Sequence, residues 1–382
     1  MSRDPGIPRL LRRLNDRAAL ELLLGDGPLT RAELGERTGL SKVTAGQLLA
    51  RLEERGLVEV AGERAGGRGP HAALYAVVPS SAYVAGLEVL PDSLRVGVAD
   101  ITGRTVVEIT VNPSDVSDPV GAVHDAVRRA CDTANVSLSR LRAFVIGTRG
   151  VVDPATGDVR WSYDLPSWHV GVLASLRETL GVPVTIENDV NLVALAEHAY
   201  GAAVGYDDFA VLWAGVGQGL GVMLGGRLHR GISGGAGEIG WLPVPGEPLP
   251  TDVSEPQSGS FQRLVGPAAL RGLAERHGMT GDGVPDLVRD GDEAYLDEVA
   301  ARLAVGAAAV TVVLDPGLIV LSGDVGRAGG ERLAAKVQQA VARVCPSSPA
   351  VVTTRVGGDP VLRGALVAAL EQAREQVFSD TV

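Results

Sequence analysis

VLWAGVGQGLGVMLGGRLHRGISGGAGEIGW, from Val211 to Trp241, holds eleven glycines in thirty-one residues, where average usage would place about two. Glycine at that density costs backbone entropy, so the fold must need it for turns or for close approach. The first part alternates like two strands joined by Gly225-Gly226, the pair that a two-residue hairpin turn requires. A glycine-dense loop follows and ends on Glu238. Bare backbone at Gly215, Gly217 and Gly219 leaves room for a sugar or a phosphate, and Glu238 offers an acceptor to hydroxyl groups. The alternative is a tight β-meander that binds nothing.

The rest of the chain sets the frame for that stretch. Its 382 residues are 45% apolar and 21% charged, ordinary for a soluble protein and enough for two or three domains. No run of eighteen apolar residues and no charged-then-apolar leader occurs, so a cytoplasmic protein with no membrane partner is expected. Cys131 and Cys345, far apart and outside any CxxC pattern, read as inert thiols and not as a disulfide or a zinc cluster. The net charge of −11 argues against indiscriminate coating of nucleic acid. Yet residues 1–80 hold twelve Lys or Arg against ten Asp or Glu, while the remaining 302 hold twenty-three against thirty-six. A mildly basic head on an acidic body suggests a local nucleic-acid contact.

Within that head, Ala18, Ala19, Leu22 and Leu23 give Asn15–Leu24 one buried helical face. Thr30 and Glu33 stand three apart as a capping box for a second helix that Gly39 ends. Ser41 caps a third, with Val43, Leu48, Leu49 and Leu52 toward the core and Gly56 as its stop. Lys42, Thr44, Gln47 and Arg51 are left facing outward. Two short helices joined by a glycine turn, the second presenting polar residues, fit a major groove. Leu57–Val60 and Ala73–Val77 read as strands flanking a wing, Glu63–His71, that carries Arg64 and Arg68. A winged helix-turn-helix over residues 1–80 is the expectation, with a three-helix packing unit that never meets DNA as the alternative.

From residue 81 the pattern changes. Tyr83–Val89, Leu94–Asp100 and Thr105–Val111 predict a β-meander. A helix (Pro119–Ala134), a strand (Leu141–Ile146), a helix (Val170–Leu180), a strand (Val184–Glu187) and a helix (Val190–Tyr200) follow. The order returns with strands at Phe209–Leu212, Leu220–Leu224 and Arg227–His229. Helices at Gly266–His277 and Tyr295–Val313, a strand at Leu318–Ser322 and a helix at Glu331–Cys345 then follow. Such a repeat predicts two α/β lobes with a ligand cleft between them. His169 and His229 read as ordinary surface or strand residues.

IENDVNLVALAE (Ile186–Glu197), GVGQGLGVMLGGRLHRGISGGAGEIG (Gly215–Gly240) and LIVLSGDVGRAGG (Leu318–Gly330) carry a resemblance. The body resembles the ROK family of repressors, open reading frames and sugar kinases. That resemblance implies a two-lobed actin-like, ribonuclease-H-like body over 81–382, with lobes of about 81–190 and 191–382 and a C-terminal helix packed back on the first. A winged head before such a body is similar to the family's transcriptional regulators, since the kinases normally lack it.

Departures from the family pattern then bear on function. Where the kinases carry a DxGGT phosphate loop, this chain has Glu88-Val89-Leu90-Pro91-Asp92, which adds bulk and removes a backbone donor. Ala214 stands where the kinases usually have threonine in a second phosphate loop. Asp189 matches the kinase general base, but a carboxylate also accepts from sugar hydroxyls, and Asn188-Asp189 can cap the following helix. Family members commonly close a zinc site with a histidine after GEIG and a cysteine-rich segment. Here Trp241 takes the histidine position and Val253–Gln262 has no cysteine, so no metal is expected. Gln262 takes the place of a sugar-binding glutamate, and Trp241 either stacks on a pyranose or fills the core.

The expectation is therefore a non-catalytic regulator of carbohydrate metabolism, acting as a repressor, with no cofactor, assembled as a homodimer or homotetramer. Ser41 would belong to the operator contact, with Lys42, Thr44 and Gln47 near base edges and Arg51, Arg64 and Arg68 on the phosphates. Asn188, Asp189, Gly237, Glu238, Trp241 and Gln262 would hold a sugar or sugar derivative. The competing expectation is a hexose kinase using Asp189 as base.

Overall fold

The computed structural model describes residues 6–65, 71–113, 117–162, 171–249 and 260–379. The head comprises α1 (Gly6–Gly25), β1 (Leu29–Thr30), α2 (Arg31–Thr38), α3 (Lys42–Glu54), β2 (Val58–Arg64) and β3 (Ala72–Val77). Helix α1 starts at Gly6 and not near Asn15, because Leu10, Leu11 and Leu14 are exposed and those turns follow no core periodicity. The Thr30–Glu33 capping box forms: Glu33 N–H donates to Thr30 Oγ1 (3.3 Å) and Thr30 N–H to Glu33 Oε2 (2.9 Å). Gly39 turns left-handed (φ 70°), and Ser41 Oγ accepts from Thr44 N–H (3.2 Å) to start α3. Leu34, Leu48, Leu49 and Leu52 bury against Leu20 and Leu23. Val43 does not join them. It is 69% exposed, because it lies one turn before Gln47 on the outward side of α3. Strand β3 pairs antiparallel with β1 on one side and β2 on the other, and completes the winged helix-turn-helix.

The first lobe is a five-stranded sheet. Strands β4 (Tyr83–Val89), β5 (Leu94–Asp100) and β6 (Thr105–Val111) form the meander, and α4 (Pro119–Thr133) leads to β7 (Leu141–Thr148). A small hairpin of β8 (Val151–Val152) and β9 (Val159–Trp161) precedes α5 (Val172–Leu180) and β10 (Val184–Asn188). Helix α6 (Asp189–Tyr200) crosses to the second lobe, which begins with β11 (Phe209–Ala214), β12 (Gln218–Leu224) and β13 (Arg227–Leu228). Helices α7 (Phe261–Val265), α8 (Pro267–Arg276), α9 (Val284–Asp290) and α10 (Glu293–Leu314) follow. The lobe closes with β14 (Leu318–Ser322), α11 (Gly323–Val344), β15 (Ala350–Thr353) and α12 (Pro360–Ser379).

The two sheets, ordered β6-β5-β4-β7-β10 and β13-β12-β11-β14-β15, share one plan of an antiparallel meander extended by two parallel strands. This is the duplicated actin-like arrangement.

Helix α12, last in the chain, lies against β4, β7 and α6 of the first lobe. Glycine makes that packing possible, because a Cβ on Gly364 would sit 1.9 Å from the Leu192 carbonyl oxygen of α6. Backbone cannot yield as a flexible side chain can. We therefore expect Gly364→Ala to destabilise the protein by about 3 kcal/mol or more, read as a lower urea midpoint at unchanged m-value.

Candidate functional site

A cavity of about 330 Å³ opens between the lobes. Asn188 and Asp189 reach it from the junction of β10 and α6, Glu88 and Val89 from the end of β4, and Trp213 with Val216–Leu220 from the β11–β12 turn. Gly237, Glu238 and Trp241 come from the glycine-rich loop, Gln262 from α7, Asp324 from the start of α11 and Val361 from the start of α12. All six residues that the sequence nominates for sugar contact line this one cavity.

Backbone approach accounts for the glycines. Gly237 has φ 99°, and a Cβ there would lie 2.0 Å from the Leu220 carbonyl oxygen; Gly234 has φ 81°, and a Cβ would lie 1.9 Å from that of Val152. The loop folds flat onto β12 and the β8 strand, which places Glu238 at the cavity. Arg230 ties the same loop to β10 through Glu187 (Nε to Oε2, 2.6 Å).

The nominated residues differ in how free their polar atoms are. Asn188 is the N-cap of α6: its Oδ1 accepts from Val190 N–H (2.9 Å) and Asn191 N–H (3.1 Å), and its Nδ2 donates to Gly150 O (3.1 Å). Gln262 also works on backbone, its Oε1 accepting from Gln218 N–H (3.1 Å) and its Nε2 donating to Val216 O (3.0 Å). Both residues shape the cleft by holding its walls. Sequence reading passed over Glu88, Arg149, Trp213, Gln218 and Asp324 as site residues, although each lines the cavity. Glu88, next to last in the predicted strand Tyr83–Val89, and Trp213, directly after the predicted strand Phe209–Leu212, were detectable by their place near sheet ends that meet a cleft. Arg149 and Asp324 follow strand ends and carried no comparable signal. Gln218 Oε1 is buried without a hydrogen-bond partner.

Carboxylates dominate the electrostatics. Burial pushes Glu238 up to about 7, and the Asp189 charge adds to the rise. Burial likewise pushes Glu88 up to about 7 against the pull of Arg95, with Asp359 and Asp189 adding to the rise. At neutral pH these carboxyls can therefore both donate to and accept from hydroxyl groups. Among the described residues no group of three His, Cys, Asp or Glu could hold a metal. Residues 253–259 of the segment aligned with the family's zinc cysteines lie outside the described residues, as do His169 and Arg68. His229 is exposed.

On the head, Ser41, Lys42, Thr44 and Gln47 are exposed along the N-terminal half of α3. Arg51 departs from expectation: it turns inward to Asp16, which is fully buried (Nη2 to Oδ1, 2.6 Å), because a buried carboxylate needs a cation more than solvent does. Arg64 is half exposed and pairs with Glu33, tying the wing to α2. Among the described residues no helix is long and apolar enough to cross a membrane.

A winged head on a two-lobed actin-like body with a cleft between the lobes defines a class, and comparison with known proteins narrows it. Residues 84–372 match the model of the ROK family and residues 14–69 that of the MarR family. The chain belongs to the ROK family. It is 24% identical to the DNA-binding transcriptional dual regulator NagC of Escherichia coli, over 68% of this chain and 64% of that one. It is 26% identical to the xylose repressor of Bacillus subtilis, over 61% of each. The matches thus span less than two thirds of the length of these curated relatives. A solved ROK family transcriptional regulator, a homolog of the E. coli MLC protein, shares the fold at TM-score 0.76 over 97% of this chain and 100% of that one, with 17% identity. The ROK hexokinase of Thermus thermophilus is 31% identical at TM-score 0.63, over 76% of this chain and 98% of that one.

The raised carboxyls have a consequence for stability. A group that holds its proton more tightly folded than unfolded favours the fold at low pH, and that contribution fades as pH rises from about 4.5 through about 7. Between pH 5 and 7.5 we expect the Tm of Glu238→Gln to fall less than that of the natural protein, by about 2 °C in scanning calorimetry.

Proposed function

We propose that this protein is a transcriptional regulator that reads operator DNA with α3 and the wing and answers to a sugar in the interlobe cleft. The pairing of an exposed Lys42-Thr44-Gln47 face with a hydroxyl-seeking cavity on one chain is the observation that carries this reading. Lys42, Thr44 and Gln47 suit base edges, and Arg68 of the wing suits phosphate, while Ser41 is engaged in starting α3. Asp189 and Glu238 would take sugar hydroxyls, and Trp241 the apolar face of the ring. The names of the xylose repressor and of the N-acetylglucosamine repressor of Shigella flexneri, 24% identical over 68% of this chain and 64% of that one, make xylose and N-acetylglucosamine the first ligands to try. As a homodimer or homotetramer in the cytoplasm, the protein would span two operator half-sites.

Phosphoryl transfer is disfavoured by the nucleotide side of the cleft. Leu90 N–H donates to Ser93 O (2.9 Å), closing the β4–β5 turn on itself where phosphates would need free N–H groups. The Trp213 indole nitrogen lies 3.1 Å from where a Cβ on Gly215 would stand, so the ring covers the second loop. Asp324 adds a negative charge at the start of α11, where a phosphate would be repelled.

Selection from random duplexes should yield a preferred operator. Gln47→Ala should then weaken binding to it by about tenfold while changing random-DNA binding by less than about twofold; equal losses on both would refute the base-edge assignment. Incubation with Mg-ATP and a panel of hexoses and amino-sugars should release no ADP above the Asp189→Asn background. Clear turnover would reverse the regulator reading in favour of the kinase.

A further inference from the structure

Helix α12 begins at the cleft and ends at the head. Its first turn presents Val361 to the cavity, and Val377, sixteen residues later, lies about 24 Å away along the axis. At the cleft end, Asp359 binds Arg95 (2.5 Å), and Arg95 also reaches Glu88 (3.3 Å), whose carboxyl lines the cavity. At the head end, the Val377 carbonyl accepts from Arg55 Nη2 (2.8 Å), and Arg55 is the residue that closes α3.

Between these ends the helix has little freedom. Its backbone abuts α6 at Gly364 and β4 at Gly86, where a Cβ would lie 3.0 Å from Leu366 N. Arg374 donates twice to Ile101 O (3.1 and 2.9 Å). Phe378 is buried in the apolar cluster that also contains Leu20, Leu48 and Leu52 of the head.

The head end is polar and incompletely satisfied. Arg55 Nη1 is buried without a partner, and one turn earlier so is Arg51 Nε, as is Oδ2 of the Asp16 it pairs with. A buried polar atom without a partner is costly, so this junction is not at its hydrogen-bonding optimum.

We infer that α12 is the mechanical link between the cleft and the DNA-reading helix, with the Glu88–Arg95–Asp359 clasp setting its position and Arg55 passing that position to α3. Arg55 is a positioning residue: it touches neither sugar nor base edge and acts through the C-terminal end of α3. A ligand that alters the Glu88 clasp changes how α12 is held at its cleft end, and because the helix is locked along its length against α6 and β4, the change is passed to Arg55 and α3 and is not absorbed within the helix. This link supplies the regulation proposed above and rests on that reading for its purpose, but its existence is measurable without DNA or sugar.

The test is amide hydrogen exchange on the full-length protein, comparing the natural chain with Asp359→Asn, Arg55→Gln, Arg55→Lys and the Asp359→Asn/Arg55→Gln double variant. Asp359→Asn is expected to speed exchange at residues 52–58 by about threefold or more, although the substituted side chain is at the far end of α12. Arg55→Gln should produce the same acceleration, the double variant no more than either alone, and Arg55→Lys, which keeps a donor for Val377 O, much less. Acceleration confined to the neighbourhood of Arg95 and Asp359 would overturn the link, as would additive effects or a uniform change that includes β11 and β14. A protein that shows the coupling but selects no operator would instead overturn the regulator reading and leave the link standing.

Discussion

The cleft depends on a buried carboxylate. Glu187, next to last in strand β10 and 6% exposed, accepts from Arg230 Nε, from Asn191 Nδ2 (2.9 Å) and from the Asn188 backbone N–H (3.0 Å). Taking a carboxylate out of water costs several kcal/mol unless its lone pairs are met, so the three donors must hold their places. Together they lock the glycine-rich loop, the end of the first-lobe sheet and the first turn of α6 into one unit. Asp189 and Glu238, both lining the cavity and close enough for one charge to act on the other, are carried by the segments this anchor ties together.

Around that anchor the protein separates shaping from contact. Asn188 and Gln262 spend their amides on backbone, fixing the start of α6 and the β11–β12 turn. Glu88, Asp189 and Glu238 supply the negative charge, and the first and last of these resist ionisation because burial outweighs hydration. Trp213 and Trp241 provide apolar faces beside these groups. Carboxyls that can both donate and accept match the hydroxyl groups of a sugar.

Elements whose cause is local were legible in the residues themselves. The Thr30–Glu33 box, Ser41 as a cap, the left-handed glycines at 39 and 56 and the meander at 83–111 all rest on interactions within a few positions or on period-two alternation. Of the six cleft candidates, Glu238 was legible from the glycine-rich loop itself, whereas Asp189, Trp241 and Gln262 were found through the family resemblance that their motifs carry. Side-chain direction was less readable. Val43 and Arg51 both sit where helical spacing allows two answers, and for Arg51 the choice was made by Asp16, thirty-five positions away in the chain.

By itself, the order of residues determined the class of fold, the winged head, the glycine loop and the place of the cleft, because propensity, capping and periodicity act over short separations and agree with one another. Only the tertiary structure decided that α12 touches the head through Arg55, that Arg95 binds Asp359 across 264 positions, and that the Trp213 indole stands beside Gly215. Those outcomes depend on which distant groups burial brings together, and desolvation and steric fit between remote segments leave no periodic trace in the chain.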